Sequence, residues 1–159
     1  MGVFRAPCQG RHGPLWLYIR KKDEDGDLWF EGSAFGEDSQ VLIFMTDEGA
    51  AKVFYRLLTP DQDVFDVFQD VSETLIEKYG EPDFVTKDFQ RPYKEGDGYE
   101  RQALKQGKAT INLGWSNESS AGAGLLVEIS DALTVDLTYE SSLWVEHVDD
   151  VREKEAEDF

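Results

Sequence analysis

The chain has little of the chemistry that disulfide bonding, metal binding or nucleophilic catalysis requires. Its 159 residues include one cysteine, Cys8, and two histidines, His12 and His147. One cysteine cannot form an internal disulfide, and a lone thiol with no base nearby in the sequence is typical of an unreactive residue. Two distant histidines provide neither a zinc ligand set nor a Ser-His-Asp arrangement. The sequence therefore predicts no catalytic residue, no metal and no cofactor.

Long apolar runs are also missing. No segment approaches the ~18 consecutive apolar residues of a transmembrane helix, so we expect no membrane insertion. Residues 1–14 lack the apolar core of a secretory signal, which favours a cytoplasmic protein for the chain as it stands. A bacterial envelope or secreted location stays open if an export signal was removed.

Basic residues are few: 16 Lys and Arg stand against 33 Asp and Glu, for a net charge of −17. Such a surface repels phosphate groups, which excludes nucleic acid and disfavours anionic membrane surfaces as partners. The partner is unknown from sequence, but a basic protein fits this charge. The acidic surface also predicts good solubility through self-repulsion.

Apolar and aromatic residues are abundant, at 40% and 13% of the chain. This composition favours a packed core over disorder. The length indicates one domain over residues 1–159, with an irregular lead-in at 1–14 and a frayed tail at 155–159.

The strongest local pattern predicts a helix between Thr59 and Pro82. Thr59 and Gln62 have the spacing of a capping box, with Pro60 at the first helical position. Gly80 and Pro82 end the helix. Between these ends, apolar residues recur at helical spacing. These residues are Val64, Phe68, Val71, Leu75 and Tyr79.

Alternating or continuous apolar runs predict strands on both sides of this helix. The Asp25-Gly26 pair predicts a hairpin between the first two strands. Residues 50–58 fit a strand or a helix, and we favour a strand because a helix follows directly. The predicted strands are 15–20, 28–35, 40–45, 108–116, 125–130 and 133–139.

Short connections between these strands favour antiparallel pairing with one buried and one wet face. On the last strand the wet face carries Thr134, Asp136 and Thr138. Residues 81–98 are predicted as a long extended connection, 99–106 as two helical turns, and 142–154 as a second main helix. The fold class is therefore α+β: an antiparallel sheet with two main helices packed on one face.

Two acidic segments are candidate sites. An EF-hand loop over Asp23–Asp27 would require an acidic residue at Lys21 and Glu at Gly32, so a solvated hairpin tip is favoured. Asp97 and Glu100 lie in a Gly-rich turn that could orient a general acid and base. Asp97 fits a cap on the following short helix better.

Aromatic residues on the first hairpin complete the candidate set. Trp16, Tyr18, Trp29 and Phe30 fit core packing, but both faces of these strands are apolar. Part of this aromatic patch can therefore serve a ligand or partner. The candidate interaction surface is Trp16, Tyr18, Trp29, Phe30, Asp97 and Glu100.

Several short motifs lie between residues 75 and 140. Lys78-Tyr79-Gly80-Glu81-Pro82 ends the helix, Trp115 lies in a strand, and Leu137-Thr138-Tyr139 ends the last strand. This order resembles small bacterial α+β domains of unknown function, often exported, in which a KYG-x-P helix end precedes strands bearing Trp and LTY. The resemblance implies a bacterial α+β domain and no catalytic residue.

Three functions are consistent with these observations. The first is a non-catalytic binding or protein-interaction domain, because no catalytic constellation is present. The second is an acidic immunity, inhibitor or chaperone-type protein that neutralises a basic partner, because the net charge is −17. The third is a small hydrolase that uses carboxylates such as Asp97 and Glu100.

Overall fold

The computed structural model describes residues 4–5, 16–22, 26–117, 123–144 and 146–148. Within these residues, nine strands and two helices account for the regular elements that precede residue 142. The strands are β1 Phe4–Arg5, β2 Trp16–Lys22, β3 Leu28–Ala34, β4 Glu37–Thr46, β5 Gly49–Leu58, β6 Phe84–Phe89, β7 Ala109–Asn117, β8 Ala123–Ile129 and β9 Val135–Glu140. The helices are α1 Val64–Tyr79 and α2 Glu100–Lys105.

All nine strands form one antiparallel sheet in the order β1-β2-β3-β4-β5-β9-β8-β7-β6. The predicted hairpins and the strand over residues 50–58 are confirmed, and Gly26 adopts the positive φ of +92° that the first hairpin requires. The α+β class with an antiparallel sheet is therefore confirmed. Strands β1 to β5 lie side by side in the order in which they occur in the chain. The other four strands follow in reverse chain order, from β9 beside β5 to β6 at the edge.

One side of the sheet carries the core, and we call it the helix face. Leu57, Val135 and Val127 project from it and are fully buried. Val64 and Val71 of α1, and Leu104 of α2, belong to the same buried cluster. Because side chains alternate along a strand, the residues between these core positions lie on the opposite side, which we call the open face.

The end of α1 matches the prediction, but its beginning does not. Gly80, with φ of +85°, closes the helix and donates its N–H to Ile76 O at 2.8 Å. The predicted capping box is wrong, because residues 61–63 form a turn and the helix begins at Val64. Thr59 continues the alternation of β5 and is buried, so its hydroxyl is not available to cap the helix.

Two stretches predicted to be irregular contain strands. Phe4–Arg5 pairs with β2, within the predicted lead-in. The predicted connection over residues 81–98 contains β6, which pairs with β7 at the edge of the sheet. Most β6 side chains are exposed, so it has the weak hydrophobic pattern that is typical of an edge strand.

Side chains of β7 hold the connection between α1 and β6. Trp115 Nε1 donates a hydrogen bond to Gly80 O at 2.9 Å. The Asp83 carboxylate accepts hydrogen bonds from Ser116 N at 2.6 Å and from Ser116 Oγ at 2.9 Å. These two bonds lower the pKa of Asp83.

The prediction of two main helices on one face is not confirmed. Residues 142–144 and 146–148 are helical, and the rest of the predicted helix lies outside the described residues. The Trp144 ring lies 5.2 Å from the Phe44 ring, and Lys52 Nζ lies 4.6 Å above it. Phe44 and Lys52 project from the open face, so Trp144 contacts the side opposite α1. In the part of the chain that the structure describes, no helix is long and apolar enough to cross a membrane.

Candidate binding surface

A row of polar side chains crosses the open face from strand to strand. The register places Arg56 beside Asp136, Asp136 beside Glu128, and Glu128 beside Asn112. Gln40 and Thr86 extend the row at its two ends. We call Gln40, Arg56, Asp136, Glu128, Asn112 and Thr86 the polar row.

Arg56 and Asp136 form the centre of the polar row. Arg56 Nη2 lies 2.7 Å from Asp136 Oδ2, and Arg56 Nε donates to Asp136 Oδ1 at 3.1 Å. Thr134 Oγ1 donates to the same Oδ1 at 2.8 Å. Asp136 is only 3% exposed, and its hydrogen bonds raise the pKa of Arg56 although burial opposes this. The prediction that Asp136 lies on a wet surface is therefore wrong, because a bidentate ion pair shields the carboxylate.

Glu128 is the second carboxylate of the polar row. It lies directly across from Asp136, in register, and burial raises its pKa. The negative charge of Asp136 raises it further, while Arg56 opposes the shift. Asn112 is the neighbour of Glu128 on the other side, and its buried Oδ1 atom has no hydrogen-bond partner in the described part of the chain. The row therefore contains one carboxylate held in an ion pair and one whose pKa is raised by burial.

A second row, mostly apolar, runs beside the polar row on the same face. Trp29 and Phe84 lie at its two ends and are 42% and 45% exposed. Leu42, Phe54 and Leu126 lie between them and are half-buried. Thr138 and Gly114 complete the register between Phe54 and Phe84. We call Trp29, Leu42, Phe54, Leu126 and Phe84 the apolar row.

Gly114 allows Phe84 to close the end of the apolar row. A Cβ atom at Gly114 would lie 2.4 Å from Phe84 Cζ and 2.9 Å from the carbonyl oxygen of Leu125. The Phe84 ring therefore lies directly over the glycine. Any side chain at position 114 would displace the ring and crowd the backbone of β8.

We expect Gly114→Ala to destabilise the protein by about 1–3 kcal/mol, because overpacking at a fixed backbone position forces a local shift. Urea unfolding followed by Trp fluorescence would measure this change. Thr110→Ala, on the same strand and face, is the control and should change stability by less than about 0.5 kcal/mol. Equal stability of the two variants would show that Phe84 does not pack on Gly114.

The open face is acidic. In strands β3 to β9 it carries six carboxylates and two cations. The carboxylates are Glu31, Asp38, Asp88, Glu128, Asp136 and Glu140, and the cations are Lys52 and Arg56. Both cations are paired with carboxylates, since Lys52 Nζ lies 2.9 Å from Glu140 Oε1. Among the described side chains of these strands, acidic residues therefore outnumber basic ones on the open face.

The structure separates the predicted aromatic residues. Trp29 lies on the open face and is exposed, whereas Phe30 lies on the helix face and is half-buried. The side chains of Trp16 and Tyr18 lie outside the described residues. The predicted patch therefore contributes Trp29 to the apolar row, and Phe30 is not part of that surface.

Asp97 and Glu100 hold their own loop together and lie far from Trp29. Asp97 accepts hydrogen bonds from Lys94 N at 2.9 Å and Tyr99 N at 2.8 Å. Glu100 accepts one from Gly96 N at 2.8 Å. The backbone hydrogen bonds lower the pKa of Asp97, so its carboxylate is a weak base. Their loop lies between β6 and β7, five or six strands across the sheet from β3.

The other candidate segments are described only in part. Residues 23–25 and Cys8 lie outside the described part of the chain, and Asp27 Oδ1 accepts a hydrogen bond from Met45 N at 2.8 Å. His147 is exposed, with its ring 5.8 Å from that of Trp144. Among the residues that the structure describes, no group of three or more His, Cys, Asp or Glu side chains is placed to hold a metal ion.

Comparisons with known proteins add no assignment. A scan against protein-family models finds no matching family. Searches of curated proteins and of solved structures find no match either. The resemblance to small bacterial domains therefore stays a prediction.

Sequence reasoning missed most of this surface. Leu42 belongs to a continuous apolar run and Phe54 to an ambiguous one, so neither showed which face it would take. Leu126 and Glu128 lie on the open face of β8. The apolar Leu126, at a position where alternation predicts a polar residue, is the sequence signal that this face is partly apolar. The alignment of these residues depends on cross-strand register, which joins β5 to β9 across about 80 residues of sequence.

Proposed function

We propose that this protein is a non-catalytic protein-binding domain whose open face receives a basic amphipathic helix of a partner protein. The observation that carries this proposal is the apolar row on a sheet face that no described long helix covers. A sheet buries an apolar surface by packing against another layer, as the helix face does against α1. The open face offers the same kind of surface, with carboxylates beside it.

Size and charge support this occupant. The apolar row runs from β3 to β6 across six interstrand spacings of ~4.8 Å, about 29 Å in all. A helix of about 19 residues has this length. Its apolar stripe would contact the apolar row, and Lys or Arg side chains along its flank would approach Asp38 and Glu128. The net charge of −17 would accelerate the approach of a basic chain.

An immunity or inhibitor protein that neutralises a basic partner is a narrower form of the same function, and the acidic charge favours it. The carboxylates of the Asp97 loop support a hydrolase less well. Their hydrogen bonds to backbone N–H groups account for their positions.

The test uses a blocked peptide of about 19 Leu and Lys residues, with Leu at helical i, i+3, i+4 spacing. Isothermal titration calorimetry would measure its Kd, and ¹⁵N chemical-shift changes would locate it. We expect Trp29→Ser, at one end of the apolar row, and Leu126→Ser, in its interior, each to weaken binding by about tenfold because each removes apolar contact area. Raising the salt concentration should also weaken it.

Two controls accompany this experiment. Tyr99→Ser removes an aromatic residue that is even more exposed than Trp29, at 60% against 42%, and that lies just before α2; it should leave Kd within about twofold. A peptide with Glu in place of Lys should not bind. Two results would rule out the open face as the site. One is binding that does not depend on salt concentration, and the other is an equal loss of affinity in Tyr99→Ser and Trp29→Ser.

A further inference from the structure

In the polar row, a buried hydrogen-bond acceptor lies opposite a carboxyl group whose pKa is raised by burial. Among the residues that the structure describes, Asn112 Oδ1 has no hydrogen-bond partner. Glu128 is its register partner on the open face. A buried acceptor without a donor is costly, and a protonated carboxyl supplies one O–H donor.

From this juxtaposition we infer that Glu128 holds a proton that it donates to Asn112 Oδ1, and that loss of this proton increases the affinity of the open face for a basic helix. The second half of the inference rests on the proposed function. The first half concerns the free protein alone.

The groups around Glu128 support the assignment. Asp136 approaches from β9, and its negative charge disfavours a second charge beside it. Arg56 lies beyond Asp136 on β5 and is engaged by both Asp136 oxygens, so its opposing effect on Glu128 is smaller. From β7, the in-register neighbour is Asn112, and the diagonal positions are Thr110 and Gly114, none of which carries a charge. Burial and Asp136 together raise the pKa of Glu128.

The sign of the effect follows from this shift. Because folding raises the pKa of Glu128, the native protein binds this proton more tightly than the unfolded chain does. The contribution of Glu128 to stability is therefore full below the ordinary Glu pKa and is lost as the pH rises through the folded value. Over the same range the open face gains one negative charge. A Lys side chain about 8 Å away would then bind about fivefold more tightly at an intermediate dielectric.

The first experiment follows the ¹³C carboxyl shift of Glu128 during a pH titration of the free protein. We expect a midpoint above the ordinary Glu value, and a lower midpoint in Asn112→Val, which removes the acceptor. Thr86→Val removes a polar group one strand further along the row and should leave the midpoint unchanged. A normal midpoint in the wild-type protein, or one that Asn112→Val leaves unchanged, would overturn the shared proton.

The second experiment measures Kd for the Leu/Lys peptide between about pH 5 and pH 8, where Lys keeps its charge. Wild-type affinity should rise about fivefold with pH, and Glu128→Gln should abolish this rise. Asp38→Asn removes a carboxylate from the same face and should preserve it. A rise that persists in Glu128→Gln would overturn the switch. A peptide that does not bind at all would refute the proposed function and the change in affinity, while the carboxyl titration would still decide where the proton lies.

Discussion

Replacing Arg56 with Met should destabilise the protein by about 3–5 kcal/mol. The substitution removes the bidentate guanidinium from the Asp136 carboxylate, which is 3% exposed. Thr134 Oγ1 still donates its hydrogen bond to that carboxylate. The Arg56 side chain is itself 37% exposed, but its removal leaves the buried Asp136 charge desolvated and uncompensated. Met preserves most of the aliphatic stem that contacts the sheet, so the loss would report the charge. Urea unfolding monitored by circular dichroism would measure it.

A double variant distinguishes the buried charge from lost packing. Arg56→Met combined with Asp136→Leu removes both charges, and we expect it to be more stable than Arg56→Met alone. Lys87→Met is the control for an exposed ion pair, since Lys87 and Glu95 are 50% and 62% exposed. That variant should lose less than about 1 kcal/mol. If Arg56→Met cost no more than Lys87→Met, the polar row would not be organised by a buried pair.

Leu57→Ala should destabilise the protein by about 3 kcal/mol, whereas Leu58→Ala should cost less than about 1 kcal/mol. The two residues are adjacent in β5 but project from opposite faces. Leu57 is fully buried in the cluster beneath α1, and Leu58 is 42% exposed on the open face. Truncating Leu57 removes buried methyl groups and leaves a cavity that the sheet and helix cannot fill.

Thermal or urea denaturation of both variants would test which face is covered. The comparison tests the proposed binding surface, because a partner bound to the open face would contact Leu58 and not Leu57. Equal losses in the two variants would mean that both faces of β5 are buried. In that case the open face would not be available to a partner.

The sequence predicted correctly those elements that have strong local signals. In the predicted strands 108–116 and 125–130 every second residue is apolar, and the structure contains these strands as β7 and β8. Gly80 ends α1 where predicted, because a residue with positive φ stops a helix locally. Residues 50–58 fit a strand or a helix by pattern, and the helix that follows them favoured the strand, which the structure contains as β5.

The failures occurred where tertiary contacts overrode the local pattern. Thr59 has the spacing of a cap, but it directly follows β5 and its side chain is buried. β6 is recognisable as a strand mainly through its hydrogen bonds to β7, and its exposed side chains give little periodicity. Asp136 occupies a polar position in an alternating strand, and its burial is made tolerable by Thr134 nearby and by Arg56, 80 residues away.

By itself, the sequence determined the antiparallel α+β class, the apolar stripe of α1 and the acidic surface, because these follow from periodicity and composition within short segments. The tertiary structure alone decided that β9 pairs with β5, and so which side chains share a row on the open face. Strand pairing between distant segments sets this alignment, and a shift of one residue would exchange the two faces. For that reason the polar row and the apolar row cannot be identified from the sequence, and they exist only once the sheet has formed.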